Sequence, residues 1–246
     1  FIIDEWDCIF REYKQDKEAQ KQYLDFLRNL LKDKPYVELA YMTGILPIKK
    51  YGTHSALNMF KEISMLNATP LESFMGFTEQ EVYDLCLKYN MDYNEMKKWY
   101  DGYRMSDDIS VYNHRSVVYA LMDRKYENYW TSTETYEALQ VYIDMNFDDL
   151  KDNIVQLLAE ENVPVQTTSF QNDMTTFKSK DDVLTLLIHL GYLGYNSSDH
   201  TCYIPNKEVV DSFVNSIRSS DWHETTKALL NSRELLEATW RQDEEA

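Results

Sequence analysis

The chain has 246 residues, of which 43% are hydrophobic and 14% aromatic, and this composition excludes a disordered acidic tail. Its 25 Lys and Arg residues stand against 42 Asp and Glu residues, and the net charge of -17 disfavours general binding to nucleic acids or acidic membranes. Three cysteines, Cys8, Cys86 and Cys202, lie far apart, so we expect neither a disulfide framework nor a zinc site, and a reducing cytoplasm fits best.

Glycine and proline are scarce, at 6 and 5 residues, and long stretches follow the helical period. The sequence therefore predicts a helix-rich α/β protein. No run of about 18 apolar residues predicts a transmembrane helix, and no signal peptide is visible. Because the chain starts directly on an apolar run, at residues 1–3, we interpret it as a fragment of a longer protein.

The N-terminal part of the chain predicts two short strands separated by a long helix. Strands in this arrangement form a parallel pair, since the helix carries the chain back to the start of the sheet. The predicted elements are a strand at residues 1–3, a helix at residues 8–34, a strand at residues 36–42 and a further helix over residues 55–66.

The middle of the chain predicts a small helical subdomain. Thr78 followed by Glu81 is typical of a capping box at a helix start. Trp99, Tyr100 and Tyr103 predict aromatic core packing near the end of another helix. The predicted helices cover residues 78–89, residues 94–100 and, after a turn at residues 112–116, the stretch up to residue 123.

The C-terminal part predicts a helix, two strands joined by a polar turn, and another helix. This order is typical of a winged helix, and other small α+β units share it. The turn holds Asp199 and His200 with few basic residues, so we expect protein packing there rather than DNA binding. The predicted elements are a helix at residues 181–190, strands at residues 191–195 and 201–204, a helix at residues 206–218, and an acidic helix in the tail at residues 222–246.

The acidic end of the first strand is the best candidate for chemistry. In P-loop ATPases an apolar strand ends in an Asp that holds the magnesium shell, and a following Glu orients and deprotonates the attacking water. Asp4 and Glu5 stand in those positions, where a chain leaving a parallel sheet can direct both carboxylates into the crevice above it. The alternative is an ordinary acidic strand end or helix cap.

Thr43, at the end of the second predicted strand, is a candidate sensor residue that would contact the γ-phosphate or the attacking water. A purely structural role at the turn is the alternative. Lys49, Lys50 and Arg104 are candidate cations for a phosphate or a subunit contact, and ordinary solvated side chains are the alternative for each.

The phosphate-binding loop itself is not found in the chain. No segment fits G-x-x-x-x-G-K-[ST], since the six glycines stand at positions 44, 52, 76, 102, 191 and 194. Without the backbone N–H groups and the lysine of that loop, we expect this chain to lose most of its nucleotide affinity. The five histidines form no metal-binding pair, and no segment matches the G-x-S-x-G elbow of hydrolases.

Eight short motifs follow one another along the chain: IIDEWD at residues 2–7, MTGIL at 42–46, LN at 57–58, GFTEQEV at 76–82, WYDGY at 99–103, YN at 112–113, GYL at 191–193 and IPN at 204–206. In this combination they resemble the predicted AAA-ATPase-like family, bacterial P-loop ATPase-like proteins that abound in gut and anaerobic species. The resemblance covers nearly the whole chain, and the succession of WYDGY, YN and IPN is its most specific part. His114 departs from it, because the family tends to have proline after Tyr-Asn.

The resemblance implies an α/β fold that begins within the parallel sheet of a P-loop ATPase, with the phosphate-binding loop upstream of Phe1. Helical and winged-helix-like parts follow, and many members carry a restriction-endonuclease-like domain downstream of the position of Ala246. We accordingly expect the end of an ATPase core at residues 1–70, a lid-like helical subdomain at residues 71–125 and a helical, winged-helix-like domain at residues 126–246.

The resemblance also implies ATP and Mg²⁺ as cofactors of the full-length protein. Carried over by motif, Asp4 is the Walker B carboxylate of the magnesium shell, Glu5 is the catalytic base and Thr43 is the sensor.

The sequence and the resemblance lead to three functional hypotheses. The first is a cytoplasmic ATPase that couples ATP binding or hydrolysis to conformational change, and that meets nucleic acid only through the absent downstream domain. The second is an inactive scaffold whose acidic, tyrosine-rich surface binds a protein partner or a second copy. The third is a DNA-binding winged helix, which the negative charge disfavours. No membrane partner is expected.

Overall fold

The structure is a computed structural model that describes residues 1–47, 57–130, 136–145, 147, 149–170 and 177–218. These residues form a mixed, helix-rich α/β protein, as the sequence predicts. None of the described helices is long and apolar enough to cross a membrane. The α-helices are α1 (Cys8–Glu12), α2 (Lys17–Leu31), α3 (Glu79–Tyr89), α4 (Tyr93–Tyr100), α5 (His114–Asp123), α6 (Tyr136–Ile143), α7 (Leu150–Leu158), α8 (Lys180–His189) and α9 (Lys207–Arg218). The strands are β1 (Ile2–Ile3), β2 (Tyr41–Met42), β3 (Phe77–Thr78), β4 (Tyr103–Arg104), β5 (Ser110–Tyr112), β6 (Val163–Pro164), β7 (Gly194–Asn196) and β8 (Thr201–Tyr203).

The described residues pack as two compact units that each draw on several stretches of the chain. The first takes its residues from Phe1–Met75, Arg104–Ile109 and Pro164–Cys202, and the second from Gly76–Tyr103, Ser110–Val163 and Tyr203–Ala246. The three-part division at residues 70 and 125 that the sequence suggests stays a prediction.

Strands β1 and β2 are parallel neighbours, so the predicted parallel pair is confirmed. Ile2 lies opposite Tyr41, and Ile3 lies opposite Met42. The second strand is shorter than predicted, because a strand extends only as far as it finds backbone partners and β1 has two residues.

The single helix predicted over residues 8–34 is wrong, because the chain forms α1 and α2 there instead. Asp16 begins α2, and its side chain accepts a hydrogen bond from the backbone N–H of Ala19 at 2.9 Å. Such an N-cap stabilises the start of a new helix. The buried core of this part comprises Trp6, Phe10, Leu24, Leu27 and Leu57.

The helix predicted over residues 55–66 is also wrong for the described residues 57–66, which form turns. Ser64 and Asn67 exchange backbone hydrogen bonds of 2.9 and 3.0 Å, and the Ser64 hydroxyl accepts one from Leu66 N. Local bonds of this kind compete with the helical ladder, which accounts for the difference.

Helix α8 is the apolar centre of the other part of the first unit, and its residues 182–188 are buried. Asp182 begins this buried run and accepts hydrogen bonds from the Ser169 hydroxyl and from Lys178 N, each 2.8 Å long. Strands β6, β8 and β7 form a three-stranded sheet in that order. The predicted succession of helix, strand, turn, strand and helix is therefore observed from α8 to α9.

His189, the last residue of α8, makes the first unit sensitive to acid. Its ring stacks on Phe170 at a centroid distance of 5.8 Å, and burial lowers the pKa of His189 to about 4. The unfolded chain holds a proton on this histidine below its ordinary pKa of about 6.5, whereas the folded chain does not. We expect the unit to lose about 3 kcal/mol of stability as the pH falls from 6.5 towards 4.

Urea denaturation across this pH range measures the effect as a difference between variants. His189→Phe keeps the stacking and removes the titration, so its stability is expected to fall less on acidification than that of the wild type. His114→Phe, the same change at an exposed helix start, serves as the control. Parallel pH profiles for the wild type and His189→Phe would contradict the assignment.

Side-chain caps begin α3 and α5 of the second unit, and the sequence predicts the first of them. The predicted capping box of α3 is confirmed, since Thr78 Oγ1 accepts from Glu81 N at 3.4 Å and Glu81 Oε2 accepts from Thr78 N at 2.8 Å. Asn113 Oδ1 accepts from Arg115 N at 3.1 Å and so begins α5. The core between these helices comprises Val82, Cys86, Met96, Tyr100, Tyr112, Val117, Ala120, Leu121 and Tyr129.

Two of the short motifs meet within the second unit, in what we call the DGY-IPN contact (residues 101–103 and 203–206). Asn206 Nδ2 donates to the backbone carbonyl of Asp101 at 2.9 Å, and the Tyr203 hydroxyl donates to the carbonyl of Gly102 at 3.0 Å. Gly102 has φ +105°, and a Cβ built there would lie 2.0 Å from the Pro205 carbonyl oxygen. Only glycine allows this approach of two backbones.

Candidate functional site

Asp4 and Thr43 lie at the carboxyl ends of β1 and β2, and the structure brings them together. The Thr43 hydroxyl donates a short hydrogen bond to Asp4 Oδ1. Backbone bonds hold the two strand ends in register, from Thr43 N to Ile3 O and from Trp6 N to Thr43 O, each 2.9 Å long. A carboxylate and a hydroxyl from neighbouring strands therefore share one position above the sheet edge, which we call the strand-end site (Asp4, Glu5 and Thr43).

Glu5 adopts a left-handed backbone conformation with φ +49°. This conformation is uncommon outside glycine, asparagine and aspartate, and it is concentrated at functional sites and tight turns. Its N–H donates to Asp4 Oδ1 at 3.0 Å, so the turn folds around the Asp4 carboxylate. The Glu5 side chain is 68% exposed and pairs with Arg11, whose Nη2 lies 3.0 Å from Glu5 Oε2.

Asp7 is the residue of this site that the sequence interpretation missed. It is fully buried, and its Oδ2 accepts backbone hydrogen bonds from Leu46 N at 2.8 Å and Ile45 N at 3.2 Å. Arg11 Nε lies 3.3 Å from the same oxygen. The spacing of four residues between Asp7 and Arg11 on a predicted helix was the available signal for this pair.

Gly44 allows the loop after β2 to close over Asp7. A Cβ at this position would lie 2.7 Å from Asp7 Oδ1 and 2.7 Å from the Trp6 ring. The Trp6 ring is buried and packs against Phe10 at a centroid distance of 5.5 Å. The strand-end site therefore stands on a packed support rather than on free loops.

The donor atoms at the strand ends suit a magnesium ion that is bound together with a phosphate. Mg²⁺ prefers hard oxygen ligands and is usually held by one or two carboxylates, with substrate phosphates and water completing its shell. Asp4 and Thr43 supply such oxygens, and the Glu5 carboxylate pairs with Arg11. Within the described ranges, no three His, Cys, Asp or Glu side chains group to hold a metal by themselves.

Of the three basic residues that the sequence nominates, Arg104 alone lies within the described residues. Lys49 and Lys50 lie outside the described residues. Arg104 is exposed. Two further arginines bind within the second unit, where Arg115 lies 5.5 Å from the Tyr119 ring centroid and Arg124 donates to the Tyr89 carbonyl at 3.5 Å.

The aromatic residues of the WYDGY motif are core residues, as predicted. Tyr100 is fully buried and Tyr103 nearly so, whereas Trp99 is partly buried. Burial raises the pKa of Tyr100 well above its ordinary value, and its hydroxyl donates to the Glu127 carbonyl at 2.9 Å. This tyrosine is therefore held as a neutral hydrogen-bonding core residue.

The second unit also contains a cleft of about 770 Å³ along one face of α9. Its rim carries both signs of charge, with basic Lys98, Lys207 and Arg218 and acidic Glu160, Glu161 and Asp211. This mixture lacks the single-sign basic field that a nucleic-acid backbone requires. None of Asp4, Glu5 and Thr43 lines the cleft.

Comparisons of the chain with protein-family models, with curated proteins and with solved structures give no match.

Proposed function

We propose that the chain is part of a bacterial, cytoplasmic AAA-ATPase-like protein, and that the strand-end site is its Walker B region. The observation that carries this proposal is the contact between the Thr43 hydroxyl and Asp4 at the carboxyl ends of two parallel strands. In open α/β sheets this edge is where ligands bind. The motif resemblance and the oxygen donors of the site support the same function.

In this function Asp4 holds the magnesium shell through its carboxylate, and the Thr43 hydroxyl senses the terminal phosphate. The magnesium ion, when bound with ATP, neutralises charge on the phosphates. Glu5 orients the attacking water and accepts its proton on a carboxylate oxygen. The Glu5 backbone is left-handed, and its carboxylate pairs with Arg11 at 3.0 Å.

The exposure of apolar side chains on the β1–β2 pair favours a larger ATPase core. Ile2 is 86% exposed and Tyr41 51% exposed, although parallel strands normally lie inside a sheet that is covered on both faces. A pair of strands is also marginal without further strands. Further strands would extend the sheet, and the helices that connect parallel strands would cover these apolar side chains. A winged-helix-like role for the succession α8, β7, β8 and α9 belongs to the same proposal.

The test is Glu5→Gln in a chain that is extended upstream through the proposed phosphate-binding loop. The amide keeps the size of the side chain and loses the proton acceptor, so turnover is expected to fall by about 10²- to 10⁴-fold. Magnesium-dependent ATP binding should remain within a few-fold of the wild type. Steady-state phosphate release and calorimetry measure the two quantities.

Glu12→Gln is the matched control, because it makes the same change at an exposed carboxylate near the site. It should leave turnover unchanged. Equal activity of Glu5→Gln and the wild type would remove Glu5 from the mechanism.

A scaffold function is the second candidate, and the outer face of α5 favours it. Val118 and Tyr119 are each 41% exposed and Met122 is 70% exposed, so one helix presents an apolar row to solvent. Such rows occur at protein interaction sites. A scaffold would be indifferent to Glu5→Gln, whereas Met122→Lys would weaken its self-association or partner binding.

A further inference from the structure

We propose that Arg11 is a positioning residue for Glu5, and that the buried Asp7 holds Arg11 in place. This inference rests on the proposed ATPase function of the strand-end site. It names a residue outside the motif assignments, since Arg11 lies beyond the IIDEWD segment at residues 2–7.

Arg11 spans two carboxylates of very different exposure. Its Nε lies 3.3 Å from Asp7 Oδ2, and its Nη2 donates to Glu5 Oε2 at 3.0 Å. Asp7 is fully buried, Arg11 has 23% of its side chain exposed, and Glu5 has 68% exposed. One guanidinium therefore links the interior of the unit to an exposed carboxylate.

The contact between Asp7 and Arg11 lets the Arg11–Glu5 ion pair orient its carboxylate better than an ordinary surface pair would. An exposed ion pair contributes little, because two flexible side chains must both be ordered. Here Asp7, the residue before α1, and Arg11 within α1 lie four residues apart, and the buried carboxylate already orders the guanidinium. Pairing with Glu5 then orders one further side chain.

The geometry of the guanidinium is also specific to arginine. Its planar fork places Nε in ion-pair contact with Asp7 while Nη2 donates to Glu5, whereas a lysine ammonium is a single point charge. Lysine can neutralise Asp7 but cannot hold both carboxylates in the same way. Glu5 would then sample several orientations, and fewer of them would place its carboxylate on the attacking water.

Asp7 serves two purposes that a pair of variants separates. Its Oδ2 accepts from Ile45 N and Leu46 N, and it lies beside the cation. Asp7→Asn keeps an oxygen for the two N–H groups and removes the charge that fixes Arg11. Arg11→Lys keeps the charge on Asp7 and removes the fork.

The experiment measures both variants in the chain extended upstream through the proposed phosphate-binding loop. We expect the kcat of Arg11→Lys and Asp7→Asn to fall about tenfold or more, with KM and the calorimetric ATP affinity within about twofold of the wild type. Arg28→Lys, at an exposed position of α2, is the matched control and should behave as the wild type.

A second readout requires no turnover. Rotation of the Arg11 guanidinium about its Cζ–Nε bond, measured by nitrogen NMR, should be slow in the wild type because Nη2 donates to Glu5 and the Asp7 carboxylate lies beside Nε. It should become faster in Glu5→Ala and in Asp7→Asn. The urea midpoint of Arg11→Lys identifies any loss of folding.

The outcomes separate this inference from the proposed function. A wild type that neither binds nor hydrolyses ATP refutes the ATPase, and the NMR readout then still decides whether Arg11 is held. An active wild type with an equally active, folded Arg11→Lys variant overturns the positioning role. Equal losses in kcat and in ATP affinity would also overturn it, since they indicate a general structural defect.

Discussion

Gly102→Ala is expected to destabilise the second unit by more than about 4 kcal/mol, because two independent effects act at this position. Gly102 has φ +105°, which L-residues rarely adopt, and the added Cβ would lie 2.0 Å from the Pro205 carbonyl oxygen. The clash is with backbone, so no side-chain rotation relieves it. The bonds from Asn206 to Asp101 and from Tyr203 to Gly102 would be strained as the two segments separate.

Urea or thermal unfolding of the purified variant measures this effect. Gly191→Ala, in the first unit, measures the cost of alanine at another positive φ, of +81°. The loss of unfolding free energy in Gly102→Ala beyond that in Gly191→Ala measures the effect of the contact with Pro205. A loss no larger than that of Gly191→Ala would contradict the close approach of residues 102 and 205.

Glu208→Ala is expected to destabilise the second unit by about 4 kcal/mol, because several buried groups share this carboxylate. Glu208 Oε1 accepts from Tyr129 N and Trp130 N at 2.8 Å each, and the Ser116 hydroxyl lies 2.9 Å from both carboxylate oxygens. The side chain thus joins the start of α9 to α5 and to the segment at residues 129–130. Alanine removes the acceptor for all three donors.

Glu208→Gln separates hydrogen bonding from charge at the same position. The amide oxygen can still accept from the two N–H groups, so the expected loss is only about 1 kcal/mol. Burial raises the pKa of Glu208, which means that the folded chain binds a proton on this carboxylate more tightly than the unfolded chain does. The wild type therefore loses stability as the pH rises above the pKa that Glu208 has in the unfolded chain. The loss of unfolding free energy caused by Glu208→Gln should accordingly be smaller at about pH 8 than at about pH 4.

Chemical denaturation of both variants at the two pH values provides the test. Equal losses for Ala and Gln would contradict the role of the oxygen as shared acceptor. Glu161→Ala, at an exposed position of the same unit, should stay close to the wild type.

Much of the local structure could be predicted because local signals determine it. Thr78 and Glu81 define a capping box within four residues, and Asn113 caps α5 through its nearest N–H groups. Two apolar runs flanking a helix were sufficient to predict the parallel pairing of β1 and β2. Asp4 and Thr43 could be expected near one another for the same reason.

The rest depends on contacts between distant residues, which local patterns do not contain. Asp7 resembled one of several acidic residues, and its burial requires the loop at residues 45–46 to fold over it. Glu208 resembled a surface residue at a helix start, yet its partners lie about 80 to 90 positions earlier. The helix predicted over residues 8–34 is two helices because the Asp16 side chain begins a new one, and a continuous helical pattern does not show such a cap.

Magnesium-dependent ATP binding, measured by calorimetry on two lengths of the protein, tests the central claim most directly. One sample is the 246-residue chain, and the other extends upstream through the proposed phosphate-binding loop. We predict that only the longer chain binds ATP with magnesium, because the backbone N–H groups and the lysine of that loop supply most of the phosphate affinity. The absence of binding by both chains would contradict the assignment of Asp4, Glu5 and Thr43 to a nucleotide site.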